Sequence, residues 1–378
     1  MAKAAAAVVG IGQVGYEKAP DTALDDLIFE AVNKALSDAG VDLHSIDSVI
    51  IACSDQIDGR AISSMITSCA AGCHLKDEIN TASASEHAAL VAYMRIRAGI
   101  DQMSLVVSWS KCSEAPVTQV ENLSAEPFFE RDLAITQVTA AAMQAAAYRE
   151  LCGVSEESVA RVVTESLAKG AKNPHVPAGR VRDIASVLGS PYWCWPLREL
   201  EMPPFSDGAC ALVMASSEVA EGLASPKAWI KGVGWASSTY WMGDRETSAL
   251  GSTRIAAEKA YEMAGVKDPT EEADVVELQD ISAYHWFMAC EALGLAAPGR
   301  ASDLLTGQGS RVAINPSGGA LSANPYFATG LVRLAEAALQ VQGRADQRQV
   351  VGAKVAIAHA LSGLGGQSAS VFVLSGDV

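Results

Sequence analysis

The chain has 378 residues, 49% hydrophobic and 19% charged, with 28 Lys+Arg against 44 Asp+Glu and a formal net charge of −16. That length supplies two domains or one large bilobed one, and the acidity excludes the basic footprint that a nucleic-acid or anionic-membrane binder needs. Eight irregularly spaced cysteines make no disulfide scaffold, and no stretch approaches the ~18 uncharged apolar residues of a membrane span.

Along the chain, residues 5–11 form an apolar run that ends in glycines, too short for the core of a signal peptide. Residues 24–36 place apolar side chains at helical spacing, and residues 49–53 (VIIAC) read as a short buried strand. Strands of continuous apolar character alternating with helices predict parallel pairing with helices on both faces. The expectation is a cytoplasmic α/β protein.

A long-range repeat then appears. Residues 31–41 (AVNKALSDAGV) align with residues 256–266 (AAEKAYEMAGV), matching Lys34 with Lys259 and Ala35 with Ala260. Each copy follows a strand-and-glycine segment, AAVVGIGQVG and AWIKGVGWAS, and precedes a strand entered through an acidic residue, Asp47 or Asp274. EINTASASEHAALVAYMRIRAG and AINPSGGALSANPYFATGLVRLAEAALQVQG share a strand, small-residue loop, helix layout. SLVVSWSKCSEA and KVAIAHALSGLGG each give a strand and a loop. Self-similarity at this spacing predicts two copies of one βαβαβ unit, residues 1–225 and 226–378. Residues 116–207 form an insertion on the first, holding an Ala-rich helix, a second helix capped by Ser155, and proline-rich loops.

Four other signals have simpler readings. CAAGCH (69–74) has three residues between its cysteines, one too many for haem attachment, and has no second ligand pair for zinc; the two cysteines are expected on the buried face of a helix. GIGQVG lacks the third glycine and the acidic residue of a dinucleotide site. PYWCWP (191–196) reads as a packed loop, the wall of an acyl pocket or a partner surface. Cys112 lies in a loop, as a reactive or a buried thiol.

Four ordered segments, PPFSDGACALVMAS, VVELQDISAYHWFMACEALGL, INPSGGALSANPYFATG and AHALSGLGGQ, resemble motifs of the thiolase superfamily, in its sterol-carrier-protein-type branch. The resemblance covers essentially the whole chain. It implies a thiolase-like α/β fold, two pseudo-symmetric βαβαβ halves layered α-β-α-β-α. It also implies a coenzyme A thioester as substrate, no covalently bound cofactor, no metal of its own, and a homodimer joined through the sheet of the N-terminal half.

The positions that carry chemistry in that family have changed together. Ser83 of Ser83-Ala84-Ser85-Glu86 stands where the nucleophilic cysteine belongs. Gln279 replaces an Asn or His, Asn324 replaces the histidine of Gly-His-Pro, and the last loop reads Leu361-Ser362-Gly363. A serine at a helix N-terminus needs an adjacent base, because the dipole contributes only about 0.3–1 kcal/mol. His87, four residues on, is the nearby candidate. Gln279 and Asn324 both carry N–H donors able to stabilise an enolate or oxyanion without transferring protons.

That combination suits carbon–carbon cleavage of retro-aldol type without an acyl-enzyme. Related cysteine-less aldolases use tyrosines as acid and base, and work with a small zinc-and-OB-fold partner protein. Tyr326, His285 (next to Tyr284) and His359 are the candidates for proton handling here. Gly318, Gly319, Gly363 and Gly365 are expected to bind the CoA thioester. Asp280 reads as a family acid or as a structural carboxylate capping a loop. Three readings stand: a CoA-thioester lyase, an acyltransferase that loads Ser83, and a catalytically silent acyl-CoA-binding or scaffold subunit of a heteromer.

Overall fold

Two pairs of strand glycines, Gly10 with Gly12 and Gly232 with Gly234, set the architecture. The computed structural model describes residues 5–19, 21–82, 84–307 and 311–377. The N-terminal half contains β1 (Ala6–Gly15), α1 (Leu24–Ala39), β2 (Ser48–Ala52), β3 (Asp77–Thr81), α2 (Ser85–Arg97), β4 (Met103–Ser110), α3 (Gln137–Cys152), α4 (Glu156–Gly170) and β5 (Gly208–Ser216). The C-terminal half contains β6 (Ala228–Ser237), α5 (Gly251–Ala264), β7 (Val275–Leu278), α6 (Ala283–Ala292), β8 (Ala313–Ile314), α7 (Thr329–Val341), β9 (Val355–Ser362) and β10 (Ser368–Ser375).

The ten strands run in the order β8-β7-β9-β10-β6-β1-β5-β4-β2-β3. Each half repeats the other. β2 lies parallel between β3 and β4, and β5 runs antiparallel to β4 and to β1. β7 lies parallel between β8 and β9, and β10 runs antiparallel to β9 and to β6. The halves join through a short antiparallel contact, Ala6 with Ile230, Ala7 with Trp229 and Val8 with Ala228.

The repeat in the sequence is the repeat in space. A Cβ at Gly12 would fall 2.0 Å from the Ala31 carbonyl oxygen, and one at Gly234 2.0 Å from that of Ala256. Each glycine thus lets α1 or α5 lie directly on its strand, with alanines on the facing side. Lys34 Nζ donates to the Gln13 carbonyl and Lys259 Nζ to that of Trp235. The entering acids match as well: Asp47 Oδ2 accepts from the Gln102 and Met103 amides, and Asp274 Oδ2 from those of Lys354 and Val355. Gly12→Ala and Gly234→Ala should each lower stability by about 1–3 kcal/mol or more through overpacking. Urea titration checks this, and an unchanged midpoint in either variant would refute the close approach.

The layers follow from which face each side chain takes. Val9, Ile51, Val107 and Val213 pack under α1. Their strand neighbours Val8, Ile50, Val106 and Leu212 join Ala356, Ala358 and Phe372 of the other half around α2 and α7. Val276, Leu278, Ile357 and Val371 pack outward against α3 to α6. The result is the α-β-α-β-α arrangement. Every residue of α7 is buried, as a helix at the centre of such a stack must be.

Ser155 does cap α4, its hydroxyl accepting from the Ser158 amide. The CAAGCH expectation fails: residues 68–72 form turns, with Gly72 left-handed at φ 83, so Cys69 is exposed and Cys73 buried. No described helix is long and apolar enough to cross a membrane.

Candidate active site

The ends of β7 and β9, the first turns of α2 and α7, and the insertion meet around one cavity. Gln279, Asn324, Tyr326 and Gly363 line it. So do two acids that the sequence reading left without a role, Glu86 and Glu121.

Both carboxamides are held by their oxygens. Gln279 Oε1 accepts from the Leu361 amide at 3.1 Å. Asn324 Oδ1 accepts from Thr329 Oγ1 at 2.6 Å. Each amide therefore keeps its NH2 end as the group available at the cavity, and both side chains are buried. Two N–H donors lining one cavity can stabilise negative charge on a carbonyl-type oxygen.

Tyr326 donates its hydroxyl to Glu121 Oε1 at 2.6 Å, while Glu121 Oε2 accepts from the Gln137 amide at 3.2 Å. Burial pushes the Glu121 carboxyl up to about 7 despite those two hydrogen bonds. Burial and the Glu121 charge raise the Tyr326 phenol well above its ordinary range. Tyr326 is thus a neutral hydroxyl that can relay a proton to a titrating carboxylate. Phe205 packs edge-on against Tyr326 and Trp193 against Phe205. Trp193 belongs to PYWCWP, so that segment does line the cavity.

Glu86 is buried in the first turn of α2, and neither carboxylate oxygen has a hydrogen-bond partner. Burial raises its carboxyl to about 8.

Other expected residues lie elsewhere. Ser83 falls outside the described residues. His87 is not part of the cavity lining; its Nδ1 stands 3.6 Å from Glu86 Oε1 without a hydrogen bond, and burial lowers its pKa. His359 points away because side chains alternate along β9; its Nε2 pairs with Thr253 Oγ1 of α5 at 3.0 Å. His285 lies between Ser282 Oγ at 2.7 Å and Gln144 Oε1 at 3.1 Å. Burial lowers both of these histidines to about 3, so they are neutral and sealed from the cavity.

Of the four glycines expected to hold the thioester, only Gly363 lines the cavity. Gly318 and Gly319, both with positive φ, pack against Gly170 and Asp280; Gly365 packs against Gln144. These three serve close packing of the chain. Asp280 caps that loop, accepting from the Ala320 amide and Asn315 Nδ2. Cys112 is buried outside the cavity lining, and burial raises its thiol to about 12, so it holds no thiolate. Among the described residues no cluster of His, Cys, Asp or Glu is suited to a metal ion.

Glu86 gave only the common signal of an acid in the first turn of a helix. Glu121 had none: it sits on a short helix of the insertion (Val117–Leu123), and its role depends on contact with Tyr326, 205 residues away.

The fold is thiolase-like. Residues 234–376 match the family described as Thiolase C-terminal domain-like. The chain is 27% identical over 388 residues to an acetyl-CoA acetyltransferase of Methanothermobacter thermautotrophicus, covering 96% of this chain and 97% of that one. It is 28% identical over 388 residues to sterol carrier protein 2 of Gallus gallus, covering 95% of this chain and 70% of that one. Among solved structures, one named Ltp2-ChsH2(DUF35) aldolase superposes with a TM-score of 0.84 at 22% identity, over 98% of this chain and 97% of that one. Residues 234–376 and the overall fold are thus similar to those of thiolase-superfamily proteins.

Proposed function

We propose that the chain is a CoA-thioester carbon–carbon lyase subunit that cleaves a 3-hydroxyacyl-CoA by a retro-aldol step, without an acyl-enzyme. The observation that supports this most is the pair of carboxamides, Gln279 and Asn324, each locked through its oxygen so that its N–H groups remain for the thioester oxygen. Donors placed where charge develops stabilise the enolate more than the ground-state thioester.

In this reading the substrate hydroxyl gives its proton to Tyr326 Oη as Tyr326 passes its own to Glu121. The Cα–Cβ bond breaks, its electron pair becomes the enolate, and the β-carbon leaves as a carbonyl. No thiolate takes part. The similarity to a structure named as an aldolase, whose name pairs two components, agrees with this chemistry and with a second chain of the small zinc-and-OB-fold kind. A homodimer joined through the N-terminal half belongs to the same proposal.

The test is turnover of 3-hydroxyacyl-CoA, followed as release of the carbonyl product. Tyr326→Phe should slow it by about 10²-fold or more, the usual contribution of a proton-transfer group. Because Glu121 must be ionised to accept the proton, the wild-type rate should rise as pH passes through about 7. Ser83→Ala should leave turnover intact. An acyl adduct on Ser83, or absence of both binding and cleavage of any CoA thioester, would sink the proposal.

A further inference from the structure

We propose that the Glu86 carboxyl is the acid that delivers a proton to Cα of the thioester enolate, and in reverse the base that removes it. This rests on the lyase reading and adds the group which that reading lacks: Glu121 and Tyr326 take a proton from the hydroxyl end, and something must supply one at the carbon end.

The observation is an exception. Every other buried carboxylate among the described residues has a partner: Asp58 has Trp109 Nε1, Asp101 has Arg95, Asp207 has Lys111, Glu277 has Arg333, Glu336 has Arg348. Glu121, Glu201 and Asp280 accept from Tyr326, the Arg198 amide and the Ala320 amide. Glu86 is 1% exposed, and both of its oxygens are unpartnered. A buried polar group without a partner is a cost that structures rarely retain without use. The cavity that Glu86 lines is the one that Gln279 and Asn324 line.

Its place is fixed. Ser85 Oγ accepts from the Leu331 amide at 2.8 Å, tying the first turn of α2 to the first turn of α7. Gly330 comes so close that a Cβ there would fall 2.2 Å from Glu86 Oε2. The residue before it, Thr329, is the one that holds Asn324. The acid and one of the enolate donors thus contact the same turn of α7, and both residues line the cavity that would hold the thioester.

Protonation agrees with the role. Burial outweighs the opposing pull of its own backbone N–H and leaves Glu86 largely protonated at neutral pH. The titratable groups about it are His87 on its own helix, itself held neutral by burial, and Glu121 and Tyr326 across the cavity; the first turn of α7 presents Gly330. The step balances. The Glu86 O–H proton forms the new Cα–H bond, Glu86 is left as carboxylate, and solvent returns to it the proton that Glu121 has gained.

The experiment incubates the full chain with propionyl-CoA in D2O and follows deuterium at the α-carbon by mass spectrometry. Wild-type protein should exchange that position. Glu86→Gln should slow exchange by about 10²–10⁴-fold, with propionyl-CoA binding retained. Acting as base, Glu86 must be ionised, so wild-type exchange should rise as pH passes through about 8, whereas cleavage, which needs the acid, should fall there. Both limbs should vanish in Glu86→Gln. Folding is checked separately: an unpartnered carboxyl is replaced by a neutral amide, so the melting temperature at alkaline pH should rise, and Glu86→Asp should keep a reduced exchange rate. Undiminished exchange in Glu86→Gln overturns the assignment of Glu86 and leaves the lyase reading standing. Wild-type protein that binds no CoA thioester, or binds it without exchange or cleavage, overturns both.

Discussion

Asn324→Asp should lower the kcat for cleavage of a 3-hydroxyacyl-CoA by about 10²–10³-fold, the loss expected for one oxyanion donor. Aspartate has nearly the same shape and can still accept from Thr329 Oγ1, so the loop should keep its conformation. What disappears is the NH2 group, and what replaces it is a carboxylate oxygen that repels the developing enolate. Gln279→Glu makes the same exchange at the other donor while keeping the bond from the Leu361 amide. A donor that acts only as charge develops should affect kcat and kcat/KM together while substrate affinity holds. Steady-state kinetics on both variants decides the matter. A kcat equal to wild type in either one would remove that amide from the chemistry.

Arg333→Met should destabilise the protein by about 3–5 kcal/mol, the range for breaking a buried ion pair from one side. Arg333 Nη1 bonds both Glu277 Oε2 at 2.7 Å and Ser317 Oγ at 2.8 Å, all three residues being buried. Removing the guanidinium leaves Glu277 buried between β7 and α7 with no cation, holding only its bonds from the Ser317 amide and hydroxyl. Replacing both partners, Arg333→Met with Glu277→Leu, should recover much of the loss, because an apolar pair of similar volume suffers no such desolvation. Equilibrium urea unfolding measures both. Ser317 also accepts from the Gly319 amide, so the network anchors the loop that leads to Asn324. A single variant as stable as wild type would show that the network bears no weight.

The fold was legible where one physical demand was written twice. Gly12 and Gly234 must be glycine for a helix to touch the strand, and Lys34 and Lys259 each close the same contact, so the two halves spell out their shared geometry. That Gln279 and Asn324 share one cavity was legible for a similar reason: they sit at fixed places in long motifs. Histidines misled, because their chemistry is visible in a sequence and their direction is not. His359 is one alternation away from facing the other side of β9, where it would meet α7 in place of α5. Glu86 and Glu121 went unassigned for the opposite reason. A carboxylate's proton affinity is decided by what surrounds it, and nothing local distinguishes Glu86 from an acid placed in the first turn to favour the helix dipole.

The outer edges of the sheet are unequal. β8 offers two residues, Ala313–Ile314, at one end; β3 offers five at the other, with Asp77, Glu78 and Asn80 exposed. Had both edges been long, the β3 edge of one molecule could add to the β8 edge of the next, and head-to-tail addition of that kind propagates into filaments. The stub at β8 withholds the second valence. In the homodimer proposed above, β3 against β3 would be a self-complementary contact that uses up the surface on both copies and halts growth at two.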